Sequence, residues 1–409
     1  MAAARAALAD LAADVAILMA PEVQYWLCGY DTFLGAQLPQ ALILTPGRDE
    51  PVLAVWDADV AIARETSLVR DIRTYRFGVD DPAALFARIA REMAPGAKRV
   101  ALDLSSQAVS HGFGRTLEAT LAPAELVDCT EAMARLRAIK SPAELDLMRK
   151  AGGHARAGLA AAREHARPGI TETELAAEIE YAMRRSGSDY FSLPTEMTTG
   201  PRSLLVHGTP GRRLLEPGDL IHVEIGGVER RYNCVGMQSF AVPGAPPKPA
   251  AKDLYAAALR CLRAGPDALR PGVPTPEVEA PALEILRAEG LGDGFKMRFG
   301  YGVGIGYPPS WLEPLKITRT STDLLHPGTT FVMHACLPAG RGRTHRRAGR
   351  RHLCHDRSGP RTAVRRRRRG AGTELISLAR AARRASTRVD TRWAGRERTG
   401  HGAGGDEVG

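Results

Sequence analysis

The chain has 409 residues, 44% of them hydrophobic, which exceeds one ordinary domain and excludes a wholly disordered protein. Its net charge of +10 is unevenly placed: residues 341–409 hold 20 of the 56 basic residues, all arginine, and 6 of the 46 acidic ones, leaving 36 basic against 40 acidic side chains before them. The basic character belongs to the tail, so the folded body carries no nucleic-acid signature; six scattered cysteines suit reduced thiols, no apolar run reaches the roughly 18 residues of a membrane span, and a cytoplasmic protein is expected.

From Ala3 to about Arg137, short apolar runs (Val15–Met19, Ala41–Thr45, Val52–Trp56, Val100–Leu104) alternate with helical stretches such as Pro82–Met93, the pattern of an α/β domain. Charged residues Arg135–Ser141 then form a connector into a capped helix that begins at Pro142. The expected division is an N-terminal α/β domain over 1–136, a second α+β domain over 137–340 and an Arg-rich tail over 341–409.

The second domain contains an internal repeat. Arg167-Pro168-Gly169 precedes a capping box at Thr171 and Glu174; Arg270-Pro271-Gly272 precedes Thr275, read as a second cap, with Pro276 at the first helical position. Both helices end near a glycine, Gly187 and Gly290. Downstream, Leu215-Glu216-Pro217-Gly218 turns into a strand over Leu220–Ile225, and Leu325-His326-Pro327-Gly328 into one over Thr330–His334. Glu224 and His334 each lie six residues past their glycine, so a pseudo-twofold axis points both into one cleft.

Three further features carry a family resemblance: the connector Leu136-Arg137-Ala138-Ile139-Lys140-Ser141-Pro142-Ala143-Glu144-Leu145, the segment His207-Gly208-Thr209-Pro210 eleven residues before Gly218-Asp219, and the Pro-Gly strand turns. Over about residues 15–340 the chain resembles the creatinase/aminopeptidase P/prolidase family of pita-bread, peptidase M24-like proteins. Gly304-Ile305-Gly306-Tyr307-Pro308-Pro309-Ser310-Trp311 resembles the creatinase and ectoine-hydrolase-like branch. The resemblance implies a homodimer and a C–N bond hydrolase.

Metallopeptidases of that family hold two divalent ions with two aspartates, one histidine and two glutamates. The matching positions here are Glu224, Val235, Tyr301 and His334, and the last glutamate falls beyond Gly340, where the match ends. Valine donates nothing and tyrosine is a poor substitute for imidazole, so no metal site and no cofactor are expected. His207 matches the family's proton-transfer histidine and serves as acid/base. Glu224 orients a cationic nitrogen of the substrate or the imidazolium of His207. Arg202, Tyr232, Tyr301, Tyr307 and His334 are expected to bind a small-molecule or dipeptide substrate. The glycines at 302, 304 and 306 lack a phosphate-binding lysine and make no nucleotide loop.

The leading expectation is metal-independent hydrolysis of a small amide, amidine or dipeptide. The alternatives are a metal-dependent Xaa-Pro aminopeptidase or dipeptidase using Mn²⁺ or another divalent cation, and an inactive pita-bread binding module. Neither nucleic acid nor membrane is an expected partner. After Gly340 lysine disappears, Arg365–Arg369 is a run of five like charges, and a β-patterned partner for the strand ending at His334 is missing. The tail is read as frameshifted and disordered, leaving an unpaired edge beside the cleft.

Overall fold

The apolar runs of the first domain become strands β1 (Val15–Leu18), β2 (Ala41–Leu44), β3 (Val52–Trp56), β4 (Asp71–Tyr75), β5 (Arg99–Leu102) and β6 (Glu125–Asp128). The coordinates are a computed structural model that describes residues 1–47, 50–203, 205–292, 294–337 and 375–377. The six strands form one sheet in the order β4-β3-β2-β1-β5-β6, antiparallel at β1–β2 and β2–β3 and parallel elsewhere. Helices α1 (Ala2–Asp10), α2 (Pro21–Cys28), α3 (Val60–Thr66), α4 (Pro82–Met93), α5 (His111–Leu121) and α6 (Thr130–Ala138) complete the domain. β1 and β2 are buried along their whole length because apolar clusters cover both sheet faces, which explains their continuous apolar sequence.

Ser141 accepts from Glu144 N, and Glu144 returns to Ser141 N at 2.8 Å, starting α7 (Pro142–His165) with a capping box. Then come α8 (Glu172–Arg185), β7 (Glu196–Thr199), β8 (Leu220–Glu229), β9 (Tyr232–Ala241), α9 (Pro249–Asp267), β10 (Val273–Pro274), α10 (Thr275–Ala288), β11 (Gly300–Tyr307), β12 (Ser310–Ile317), β13 (Leu324–Leu325) and β14 (Phe331–His334). The second sheet runs β14-β11-β9-β8-β7, with β12 also paired to β11. This is the pita-bread architecture expected of the second domain.

The two halves repeat at the backbone level. Gly169 and Gly272, Gly187 and Gly290, and Gly218 and Gly328 all have positive φ, between 67° and 103°, where a side chain would be strained. Gly169 N donates to Leu215 O at 2.9 Å, and Gly272 N donates to Leu325 O at 2.7 Å, so each pre-helix turn is tied to its pre-strand turn in the same way. One cap differs. Thr171 caps α8 and closes a box with Glu174, but Thr275 lies inside the first turn of α10, its hydroxyl buried without a partner among the described residues. The local cause is Pro274, which takes the cap position and has no side-chain acceptor.

The tail expectation falls mostly outside the described residues. One part is corrected: the edge of β14 is met by β15 (Leu375–Ser377), antiparallel, with His334 opposite Leu375. No disulfide joins the described cysteines, and no helix among the described residues is long and apolar enough to cross a membrane.

Candidate active site

Strand alternation sets the floor of the site. On β8, Ile221, Val223 and Ile225 enter the core beneath α7 and α8 with Leu175, Ile179 and Met183. The intervening His222 and Glu224 therefore face the other way, into a cavity of about 340 Å³. Glu196 on β7 lies directly opposite Glu224 in the antiparallel register and lines the same cavity. His207 reaches its mouth from the loop after β7, with φ of +58°, and that loop is held to the strand by Met197 N donating to Gly208 O at 2.9 Å.

The second half supplies the facing wall. Tyr301, near the start of β11, donates from Oη to Glu224 Oε1 at 2.9 Å. His334 ends β14 with its ring edge-on to Tyr301 at 5.5 Å, and its buried Nε2 has no hydrogen-bond partner among the described residues. Lys296, Arg298 and Trp311 complete the lining, and the Arg298 guanidinium stacks 4.7 Å from the Tyr301 ring centre. The pseudo-twofold expectation for Glu224 and His334 thus places both on one cavity.

Electrostatics divide these groups by protonation. Burial, reinforced by the Glu196 carboxylate opposite, pushes the Glu224 carboxyl up to about 8, while Tyr301 and Arg298 oppose the rise. Burial likewise raises Glu196, against the pull of His207. Burial pushes the His222 imidazole down to about 4 and, together with Arg298, the His334 imidazole down to about 3. These shifts favour the protonated form of the Glu224 carboxyl and the uncharged forms of both imidazoles at neutral pH. In this arrangement Glu224 accepts from Tyr301 and faces Glu196 and Arg298 across the cavity.

Three expected substrate contacts have structural duties instead. Arg202 is absent from the cavity lining; its guanidinium binds Glu172, a fully buried carboxylate that also accepts from Thr199 and Gly211, and donates to Thr209 O at 2.8 Å. Tyr232 donates to Glu144 at 2.9 Å, fastening β9 to the start of α7. Tyr307 donates to Asp31 at 2.9 Å, and Arg231 pairs with the same carboxylate at 3.0 Å, joining the two domains. The glycines of β11 give close packing: a Cβ on Gly304 would lie 2.3 Å from Glu313 Oε1, the buried partner of Lys140.

Sequence reasoning overlooked Glu196, His222, Lys296, Arg298 and Trp311. His222 carries a readable signal, standing two residues before Glu224 on an alternating strand. Glu196 emerges only from the β7–β8 register, and Arg298 only from the tertiary fold.

The positions that match the family's metal-ligand pattern carry few donors. Val235 is buried in an apolar cluster with Tyr301 and Val303, and among the described residues no three His, Cys, Asp or Glu side chains converge as a metal site. The described side chains do not reproduce the two-metal ligand set.

Two family models match: the Creatinase/Prolidase N-terminal domain over residues 1–139, and Metallopeptidase family M24 over residues 146–346. The chain is 30% identical over 238 residues to "Uncharacterized peptidase YqhT" of Bacillus subtilis (strain 168), covering 58% of this chain and 65% of that protein. It is 31% identical over 170 residues to "Xaa-Pro dipeptidase" of Pyrococcus furiosus, covering 42% and 48%. The chain thus spans about half to two thirds of these two relatives' own length. Prolidase from Pyrococcus horikoshii OT3 superposes with a TM-score of 0.71 at 21% identity over 82% of this chain and 91% of that one. Dipeptidase PepE from Mycobacterium ulcerans superposes with a TM-score of 0.69 at 28% identity over 82% and 86%. The matched family is one of metallopeptidases, which overturns the expectation of a cofactor-free class of enzyme. With a creatinase/prolidase N-terminal domain followed by an M24 domain on a prolidase-like fold, the chain belongs to the creatinase/aminopeptidase P/prolidase family.

Proposed function

We propose that this chain is a peptidase-type hydrolase that cleaves the amide C–N bond of a dipeptide-sized, Xaa-Pro-like substrate in the cavity between the two halves of the second domain. The observation that carries the reading is Glu224: a carboxyl bonded to Tyr301, pushed toward its protonated form by burial, in a cavity that His207 also lines. The volume of about 340 Å³ suits a small ligand rather than a protein segment. The family match and the name of the Pyrococcus furiosus relative support the substrate class.

Amide hydrolysis needs a donor for the developing oxyanion, a base for water and an acid for the leaving nitrogen. Protonated Glu224 donates to the substrate carbonyl oxygen, whose charge grows as the carbon becomes tetrahedral. His207, at the mouth, gives a proton to the departing nitrogen. Arg298 and Lys296 offer fixed positive charge on the opposite wall, suited to a substrate carboxylate. Divalent-metal chemistry is the family's, but no step is assigned to it because the described side chains do not form the ligand set.

The test is incubation of the full chain with Xaa-Pro dipeptides, other dipeptides and tripeptides, each with and without added Mn²⁺. Release of free amino acids from dipeptides supports the reading. Absence of cleavage under every condition overturns it.

A further inference from the structure

Glu196 stands on a four-residue strand, faces the cavity, and sits directly across the β7–β8 ladder from Glu224. Directly opposed residues in an antiparallel pair have Cβ atoms only about 5 Å apart, close enough for their carboxyl groups to interact. Among the described residues Glu196 makes no side-chain hydrogen bond and no ion pair. This separates it from Glu172 and Glu144, whose carboxylates are engaged by backbone and side-chain donors. A carboxylate placed in a cavity without a hydrogen-bond or ion-pair partner is unfavourable for folding and free for chemistry.

The groups around it are Glu224 across the ladder, His207 at the mouth, His222 and His334 on the floor and back, and Lys296 and Arg298 opposite. Two facing carboxyls oppose each other's ionisation, which favours a single proton on the pair. Burial and the facing Glu196 push the Glu224 carboxyl toward its protonated form despite the Tyr301 hydrogen bond, whereas His207 draws Glu196 toward its ionised form, so Glu196 is the member placed to accept a proton. We propose that Glu196 is a catalytic residue, the general base that takes a proton from the attacking water. This rests on the reading that the cavity hydrolyses an amide.

The step balances within the cavity. The water oxygen bonds to the carbonyl carbon as its proton passes to the Glu196 carboxylate, and the oxyanion is held by the Glu224 proton donor. The C–N bond then breaks, its electron pair stays on nitrogen, and nitrogen takes the proton of the His207 imidazolium. Proton transfer from Glu196 back to the neighbouring His207 restores both groups. No oxidant, reductant or further reactant is consumed.

The test compares the full chain with Glu196→Gln, Glu196→Asp and Glu196→Ala on the dipeptide that the wild type cleaves best. Loss of the base predicts a fall in kcat of roughly 10²–10⁴-fold for the Gln and Ala variants at nearly unchanged KM, with loss of the acidic limb of the pH profile. It also predicts partial activity in the Asp variant, and recovery of the Ala variant with added formate. A Gln variant within threefold of wild type, or one that loses only KM, overturns the role of Glu196 and leaves hydrolysis itself standing. Where the wild type cleaves nothing, the hydrolase reading fails, and ¹³C NMR titration of glutamate-labelled protein tests the pair directly. Glu196→Gln must then lower the Glu224 midpoint by about one unit. An unmoved midpoint overturns the pairing.

Discussion

Tyr301 Oη donates a 2.9 Å hydrogen bond to Glu224 Oε1, a contact that bridges the two halves of the second domain. It favours the ionised carboxylate and so opposes the burial that raises this group to about 8. Tyr301→Phe removes the opposition. The alkaline limb of kcat/KM, set by loss of the Glu224 proton, then moves to higher pH; a limb moving to lower pH contradicts the assignment.

Glu224→Gln preserves an uncharged donor of the same shape, whereas Glu224→Ala removes it. The Gln variant is expected to retain measurable turnover and to lose the alkaline decline near pH 8. The Ala variant is expected to lose roughly 10²–10³-fold in kcat, the usual effect of deleting one oxyanion donor. Equal activity in the two variants contradicts donation by residue 224.

Stability should depend on pH through the same residues. Glu224 rises from an ordinary 4.5 to about 8 on folding, so its contribution is complete below about 4.5 and is lost as pH climbs through 8. Glu224→Gln should therefore gain thermal stability relative to wild type between pH 5 and 9, by differential scanning calorimetry. His222 and His334 act in the opposite sense: both fall from 6.5, to about 4 and about 3, so their contribution is present above 6.5 and lost as pH drops through those values. His334→Asn should unfold less steeply in acid than wild type.

Arg202 holds the buried Glu172 carboxylate, and with it the segment leading to His207. Arg202→Ala is expected to lower stability by roughly 1–3 kcal/mol, because a charged acceptor with no access to water loses one donor and keeps others. Chemical denaturation measures this. A variant with unchanged stability and a selectively raised KM instead returns Arg202 to substrate binding.

Much of the fold was legible because its signals are local. Gly169, Gly218, Gly272 and Gly328 need positive φ, and Ser141 and Thr171 cap their helices, so turns and helix starts follow from side-chain chemistry alone. The convergence of Glu224 and His334 followed from the repeat. Residue type misled where a partner far along the chain decides the role: Tyr232 meets Glu144, Tyr307 meets Asp31 and Arg202 meets Glu172. Glu196 was invisible for the same reason, since its meaning depends on the register of β7 against β8.

The most direct measurement is release of free proline from a Xaa-Pro dipeptide by the full chain and by its His207→Ala variant, assayed side by side with and without Mn²⁺. His207 sits in an exposed loop at the cavity mouth, outside the core, so its removal should leave the thermal midpoint near wild type. Cleavage by the wild type and a loss of roughly 10²–10⁴-fold in the variant at unchanged stability is the predicted result. Cleavage at equal rates by both proteins contradicts a catalytic site at this cavity.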